Sequence, residues 1–228
     1  MTLEGKQAVV TGASRGIGRA IAAQLVAAGA DVIITGRNAS TLEHTAREIG
    51  ARAVVCDHTR EGEVEALFAA IAHLDFLINN VGAAVTLQNA DKLSPAKWRE
   101  IVDVNLTSTF TTTHFAVPKM NSGGVIVNNS SVAAKQGFAG MSAYCAAKHG
   151  VVGFTLALRE ELRPRGIRVM SLVPGATDTE IWDQFWREAP RKKMMSTDTV
   201  AQMVVQALTL PPEASVDEVV ILPSAGTL

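Results

Sequence analysis

Three features of the 228-residue sequence predict an α/β fold, a doubly wound and mostly parallel seven-stranded sheet with helices on both faces. Seven short runs rich in Val and Ile alternate with longer stretches of helical period. The runs show little polar alternation, as expected of strands buried on both faces. The polar and glycine-rich residues gather just after the runs, at 11–18, 36–37, 57, 79–82, 130–131 and 174–179. In an open parallel sheet, ligands sit at that carboxyl edge, near the point where the strand order reverses.

The first strand, over 8–11, runs into the glycine-rich stretch and then into a helix over 18–28. The second, over 31–35, ends in Thr35-Gly36-Arg37-Asn38 and leads to a helix over 41–49. A third strand over 53–56 stops at Asp57, before a helix over 61–72, and the fourth, over 76–79, opens into Asn79-Asn80-Val81-Gly82. Ser94-Pro95 reads as an N-cap followed by proline in the first turn of a helix over 95–116. Pro118 and Gly123-Gly124 end that helix and turn the chain into a strand over 125–128. A helix over 142–163, a strand over 168–173, a helix over 199–208 and a strand over 218–222 complete the pattern. Strand–helix–strand units repeated in this way close through right-handed crossovers. With no linker, short repeat or low-complexity stretch, residues 1–228 read as one domain.

Composition removes several classes of function. The chain is 47% hydrophobic and 19% charged, within the globular range. Its 21 Lys and Arg balance 22 Asp and Glu, so it lacks the cationic surplus that phosphate-backbone binding requires, and nucleic acid is not an expected partner. No apolar run approaches the roughly 18–20 residues of a membrane span, and residues 1–6 lack a signal-peptide core. Cys56 and Cys145 are too few for a disulfide framework. A reduced, cytoplasmic protein without a metal site or membrane attachment is expected.

The first polar cluster, Thr11-Gly12-Ala13-Ser14-Arg15-Gly16-Ile17-Gly18, lies between a strand and a helix. Its glycines let the backbone turn sharply and approach a pyrophosphate, while the helix behind offers free N–H groups and the positive end of its dipole. The spacing is not the common G-x-G-x-x-G, because residue 21 is Ile, and no Gly-Lys-Ser/Thr ending marks an ATP-hydrolysing loop.

In this loop the chain resembles the short-chain dehydrogenase/reductase family, whose nucleotide loop reads TGxxxGxG. The resemblance extends over nearly the whole length. Asn79-Asn80-Val81-Gly82 is similar to the family's NNAG, and Asn105 stands in a Val-Asn-Leu context like the family's mid-helix Asn. Ser131 precedes Tyr144 by 13 residues and Lys148 follows it by 4, matching Ser…Tyr-x-x-x-Lys, and Pro174-Gly175 with Thr177 and Thr179 resembles the turn beside the nicotinamide. The resemblance implies a Rossmann-type fold that exchanges a hydride between a nicotinamide cofactor and a carbonyl or secondary alcohol.

The residue types suit that chemistry. Tyr144 and Lys148, one helical turn apart, share a face. An ammonium so close favours the phenolate, predicting a titration below the reference of about 10 and nearer the working pH. Tyr144 is the only tyrosine in the chain. A Ser131 hydroxyl at the end of the fifth strand can donate to a carbonyl oxygen as charge builds there. Strand alternation turns Ser130 or Ser131 away, and the spacing favours Ser131. Asn105 is a poor helix former within an otherwise good helix. The resemblance implies that it opens the helix so that its carbonyl holds a water relaying protons beside Lys148.

An NAD site places Asp or Glu at the end of the second strand, whereas Arg there accommodates a 2′-phosphate. Position 36 is Gly, Arg37 follows it, and Arg15 is a second cation at a position resembling the family's NADP type. Each charge-assisted contact is worth roughly 1.5–3 kcal/mol, so two favour NADP by about two to four decades. NADP(H) is therefore the expected cofactor. The expected contacts are Gly12, Ser14, Arg15, Gly16, Ile17, Gly18, Arg37, Asn38, Asp57, Asn79, Gly82, Tyr144, Lys148, Pro174, Gly175, Thr177 and Thr179.

Residues 177–196 are expected to cover a small-molecule substrate, as they do in the family. Trp182, Phe185 and Trp186, spaced i, i+3, i+4, predict an aromatic helix face that either covers an apolar substrate or packs on the core or a neighbouring subunit, with Ser131, Phe138, Met141 and Tyr144 as further substrate lining. Arg187, Arg191, Lys192 and Lys193 follow, a solvated face or a means of steering an acidic substrate. Family members form dimers or tetramers through the helices carrying Asn105 and Tyr144, which implies a homo-oligomer here. The rival readings are an NAD-dependent alcohol dehydrogenase of the same fold and a nucleotide-binding regulator without turnover.

Overall fold

A computed structural model describes residues 2–83, 87–184 and 186–226. Strands β1 (Gln7–Val10), β2 (Asp31–Gly36), β3 (Arg52–Val55), β4 (Leu74–Asn79), β5 (Met120–Asn129), β6 (Arg168–Pro174) and β7 (Glu218–Ile221) form one sheet. All neighbours are parallel, in the order β3-β2-β1-β4-β5-β6-β7. The order reverses at β1 and β4, so the loops after these two strands flank the crevice where ligands of such sheets bind. The fold class is therefore the doubly wound one that the sequence predicts.

The register explains why the strands read as continuous apolar runs. Ile34, Val10, Ile78, Val127 and Met170 lie side by side across five strands, and so do their chain neighbours Ile33, Val9, Leu77, Ile126 and Val169. Successive side chains point to opposite faces. The first row packs with Ile21 and Leu25 of α1 (Gly16–Ala27) and Val200 and Val204 of α7 (Thr197–Leu208). The second row packs with Leu67 and Phe68 of α3 (Glu61–Ala69) and Leu158 and Leu162 of α6 (Ser142–Leu162). Both faces are thus buried by helices, and α2 (Ala39–Ile49) covers the β2–β3 end.

The predicted helix over 95–116 is interrupted. It forms as α4 (Pro95–Val102), a π-helical turn over Asp103–Thr107, and α5 (Ser108–Ala116). Ser94 caps its start as predicted, accepting from Lys97 N at 3.2 Å. The buried face of α5 is mostly Ser and Thr, and Ser108, Thr112 and Thr113 donate to the carbonyls of Val104, Ser108 and Thr109 one turn back. Such internal bonds let hydroxyls enter a core without leaving donors unmet. Among the described residues no helix is long and apolar enough to cross a membrane, and Cys56 and Cys145 are both buried free thiols.

Candidate active site

The carboxyl ends of the strands enclose a cleft of about 790 Å³. One end is formed by the loop between β1 and α1. Gly12 has φ +61°, and a Cβ there would lie 3.1 Å from the Val81 Cα, so the loop after β4 can pack directly on the backbone. Gly18 serves a different purpose from the one expected. It does not line the cleft; a Cβ on it would collide with Asn80 Nδ2 and come within 2.7 Å of the Gly12 carbonyl. It is the contact that lets α1 sit beneath the loop. No side chain caps α1, and its first turn holds no acidic residue, so an anion would meet bare N–H groups there.

Gly12, Ser14, Arg15, Gly16, Ile17, Arg37 and Asp57 line this end of the cleft. The Arg15 and Arg37 side chains are exposed, and neither makes a hydrogen bond or ion pair among the described residues. Burial pushes the Asp57 carboxyl up. Hydrogen bonds from the Thr59 hydroxyl and amide, and the charges of Arg37 and Arg60, outweigh this and hold it below the usual carboxylate range.

Asn38 and Asn79, expected to touch the cofactor, do not line the cleft. The Asn38 side chain caps α2, accepting from Thr41 N at 2.9 Å. Asn79 is buried under the sheet edge, donating to Thr113 Oγ1 at 2.9 Å and Asn128 Oδ1 at 2.8 Å. Its neighbour Asn80, not singled out from the sequence, takes the cleft position. Asn80 Nδ2 donates to the Gly12 carbonyl at 3.1 Å, and its Oδ1 accepts from Asn129 at 2.7 Å. Thr11 Oγ1 accepts from the amides of Asn80 and Val81 at 2.9 and 3.2 Å.

His58 was also missed as a structural residue. Its ring is buried, with Nε2 2.7 Å from Thr35 Oγ1 and Nδ1 2.8 Å from Thr112 Oγ1. The Thr112 hydroxyl already donates to Ser108 O, so Nδ1 carries the proton and Nε2 accepts from Thr35. Burial pushes its pKa down to about 4, against the pull of Asp57 and Glu63, so the ring is neutral at pH 7.

At the other end Asn105, Ser131, Tyr144 and Lys148 line one region of the same cleft, with Gly82 beside them. Ser130 and Ser131 lie just past the end of β5 and both line the cleft, so strand alternation does not turn either away, but their hydroxyls go to different partners. Ser130 Oγ donates to Lys148 O at 3.0 Å, whereas Ser131 hydrogen-bonds Tyr144 and accepts from Ala133 N at 3.2 Å. Lys148 Nζ donates to Asn129 O at 3.0 Å and stands 5.7 Å from the centre of the Tyr144 ring. Asn105 lies in the π-helical turn, its Nδ2 donating to Ile101 O at 3.0 Å and its Oδ1 accepting from Ala83 N at 3.2 Å. The widened turn agrees with an Asn that opens its helix; such turns are common at functional sites.

One expectation is corrected. Burial pushes the Tyr144 phenol up to about 12, only partly offset by the Ser131 hydrogen bond, and pushes Lys148 down to about 8. Lys148 therefore does not bring the phenol below 10 here, because the low-dielectric surroundings that hold the two side chains together disfavour both charges.

Pro174, Gly175, Thr177 and Thr179 border the cleft, and Phe138, Met141, Trp182 and Trp186 also line it. The expected aromatic helix face is not a continuous helix. Glu180–Gln184 forms a short 3-10 helix, and Phe185 lies outside the described residues. The Trp182 and Trp186 rings still meet edge to face, 6.0 Å apart. Of the four basic residues that follow, Arg191 turns inward. It donates to Asp178 Oδ1 and Thr179 O at 2.7 and 2.6 Å, and to Asp183 Oδ1 at 2.6 Å. The Thr179 carbonyl is thus partly diverted from helix bonding, which suits the short, tight form of this segment.

The chain is similar in sequence and fold to known proteins. The short chain dehydrogenase family model matches residues 6–190. The chain is 35% identical to 3-oxoacyl-(acyl-carrier-protein) reductase FabG of Aquifex aeolicus, over 89% of this chain and 90% of that one. The fold superposes with a TM-score of 0.89 on a short chain dehydrogenase from Burkholderia cenocepacia in complex with NADP, at 32% identity over 99% of both chains. A metagenomic short-chain oxidoreductase in complex with NADP gives 0.85 at 31% identity, covering 98% of this chain and 99% of that one.

Proposed function

The chain belongs to the short-chain dehydrogenase family, and from that premise we propose that it is an NADPH-dependent oxidoreductase interconverting a carbonyl compound and a secondary alcohol. One observation carries the reading. Ser131, Tyr144, Lys148 and Asn105 line the same cleft whose far end is bounded by the glycine loop, Arg15 and Arg37.

The cleft fits a phosphorylated dinucleotide. The glycine loop and the uncapped start of α1 would hold the pyrophosphate, and the two unpaired guanidiniums would take the 2′-phosphate that an acidic residue at position 36 would repel. Asp57 would meet the adenine, Tyr144 and Lys148 the nicotinamide ribose, and the segment from Pro174 to Thr179 the nicotinamide. When bound, the nicotinamide supplies or accepts the two-electron reducing equivalent.

In the direction of reduction, the Ser131 hydroxyl donates to the carbonyl oxygen as negative charge grows there. Tyr144, a neutral phenol at pH 7, gives that oxygen its proton, and the nascent phenolate has the Lys148 ammonium beside it. Lys148 has three donors, of which the Asn129 carbonyl takes one, leaving two for the ribose and the relay. Asn105, in the widened turn, carries the proton relay that restores the phenol. NADPH pools are kept reduced in cells, which favours carbonyl reduction as the working direction.

The test is a fluorescence titration with NADPH and NADH, followed by turnover assays. NADPH should bind tighter by about two decades or more; equal or tighter NADH binding overturns the cofactor assignment. Tyr144→Phe should lower kcat by about 10²–10⁴-fold with cofactor binding retained. Turnover unaffected by that change would remove Tyr144 from the mechanism, and binding without turnover on any carbonyl would point to a regulator. Because Tyr144 is the only tyrosine, phenolate absorbance of the protein alone should rise near pH 12 rather than below 10.

A further inference from the structure

We propose that His58 is a positioning residue for the phosphorylated end of the cofactor. By holding the buried hydroxyl of Thr35 it fixes the corner of the chain that carries Arg37, and so sets part of the preference for NADPH over NADH. The inference rests on the oxidoreductase reading above and adds a determinant of its cofactor specificity.

Thr35 stands near the end of β2 and is fully buried. Its carbonyl accepts from Ala13 N of the glycine loop at 3.0 Å, and its hydroxyl donates to His58 Nε2 at 2.7 Å. Gly36 follows; its carbonyl accepts from Cys56 N at 3.1 Å, and a Cβ on it would lie 3.4 Å from Ser14 Oγ. Asn38, on the far side of Arg37, is held by its bond to Thr41 N. Arg37 therefore leaves the backbone between anchored neighbours, while its own guanidinium makes no hydrogen bond among the described residues. A long side chain reaching for a phosphate is only as well placed as the Cα from which it starts, and small misplacements are costly.

His58 braces this corner from the neighbouring strand. It comes just after β3, and its buried ring also meets Thr112 Oγ1 of α5 at 2.8 Å from Nδ1. Thr112 is tied to its own helix through Ser108 O at 2.7 Å, so the ring joins the end of β2 to a fixed point on α5. Asp57, the residue before His58, is close enough to Arg37 for the cation to stabilise its carboxylate. Carboxylate and brace thus reach the Arg37 corner from the same short turn. Burying an imidazole carries a desolvation cost that an apolar side chain of similar size would avoid. An apolar side chain, however, could not accept from Thr35.

The experiment measures dissociation constants for NADPH and NADH by fluorescence titration of the parent and four variants, with the thermal unfolding midpoint of each. Thr35→Val and His58→Asn remove the Thr35 bond, because an Asn amide reaches the place of Nδ1 but not that of Nε2. Thr112→Val and His58→Gln spare it, because the ring can move its proton to Nε2 and a Gln amide reaches that place. Each variant loses one buried hydrogen bond. A merely structural role would lower the midpoints and leave the NADPH-to-NADH affinity ratio alike across the set. The ratio should instead fall by about fivefold in Thr35→Val and His58→Asn, the net contribution of one hydrogen bond. Weaker NADPH binding should account for most of that fall. In Thr112→Val and His58→Gln the ratio should stay within about twofold of the parent. The valine variants keep the shape of threonine and decide the matter if a His58 variant fails to fold. An unchanged ratio in Thr35→Val, or an equal fall in Thr112→Val, overturns the inference and leaves the oxidoreductase reading intact so long as the parent prefers NADPH. A parent that binds NADH as tightly as NADPH overturns the cofactor assignment and the inference with it.

Discussion

The two ends of the cleft are built by different means. At the glycine-loop end a chain of hydrogen bonds crosses the sheet, from Thr11 to the amides of Asn80 and Val81, from Asn80 to Gly12 and Asn129, and from Asn129 to Lys148. Each step has a side chain on at least one side, and together they tie the ends of β1, β4 and β5 to one another. The segment over the catalytic end is attached otherwise. A single parallel bridge pairs Thr177 with Met195, and between them the Arg191 side chain gathers Asp178, Thr179 and Asp183. A frame knit across three strand ends is tied into the sheet, whereas a cover gathered around one arginine can change its lining with less disturbance to that frame.

The largest expected effect separates the two ends by acid. His58 titrates near 6.5 when unfolded and near 4 in the folded chain, so between these values the unfolded state binds more protons. Its contribution is fully present above pH 6.5 and is lost as pH falls toward 4, by about 3 kcal/mol in all. Urea unfolding at pH 7 and pH 4.5 should show this loss, and His58→Gln should reduce it; an identical pH dependence in the variant would mean the ring is not buried neutral.

Next in size is Gly18→Ala. Its Cβ has nowhere to go but into Asn80 and the Gly12 carbonyl, and overpacking of this kind costs about 1–3 kcal/mol. Both denaturation midpoint and NADPH affinity should fall together. A variant that binds NADPH as the parent does would show the loop to be softer than its bonds suggest.

Arg191→Ala should have the smallest effect on stability, about 1 kcal/mol or less, because its carboxylate partners are largely exposed. Its signature is selective: KM for the carbonyl substrate should rise, while NADPH affinity stays within about twofold, as expected of sites without shared partners. Equal losses at both ends would dissolve the distinction between frame and cover.

The same division explains what could be read from the residues alone. Seven strands and the glycine loop were legible because buried parallel strands and φ-positive turns demand particular residue types, as at Val9, Val10 and Gly12. Ser131, Tyr144 and Lys148 were legible through spacing along one strand end and one helix. Asn79 and Asn80 were not separable. Adjacent and chemically identical, they are distinguished only by which face of the sheet edge each meets, Thr113 and Asn128 for one and Gly12 and Asn129 for the other. Asn38, expected at the cofactor, instead caps α2, and the amide of Thr41 that it meets is not distinguished by the residue types around it. His58 depends on Thr35 and Thr112, far away in the chain, and Arg191 was one of four cations until tertiary contacts singled it out. The burial that raises the Tyr144 pKa is likewise a property of packing, invisible in a four-residue spacing.

The π turn at Asp103–Thr107 acts on the helix as a phase shifter. An extra residue in one turn offsets every later side chain by about 100° from the course set by the first turns. On one side of the offset Ile101 belongs to the cluster around Ala143 and Tyr144; on the other, Thr112 and Thr113 meet His58 and Asn79. Removing a single residue from this turn would restore a regular helix and swing one set of partners out of alignment with the other. A helix that must serve two neighbours out of step with its own period is therefore intolerant of length change at this point, though it can accept many substitutions elsewhere on its solvent face.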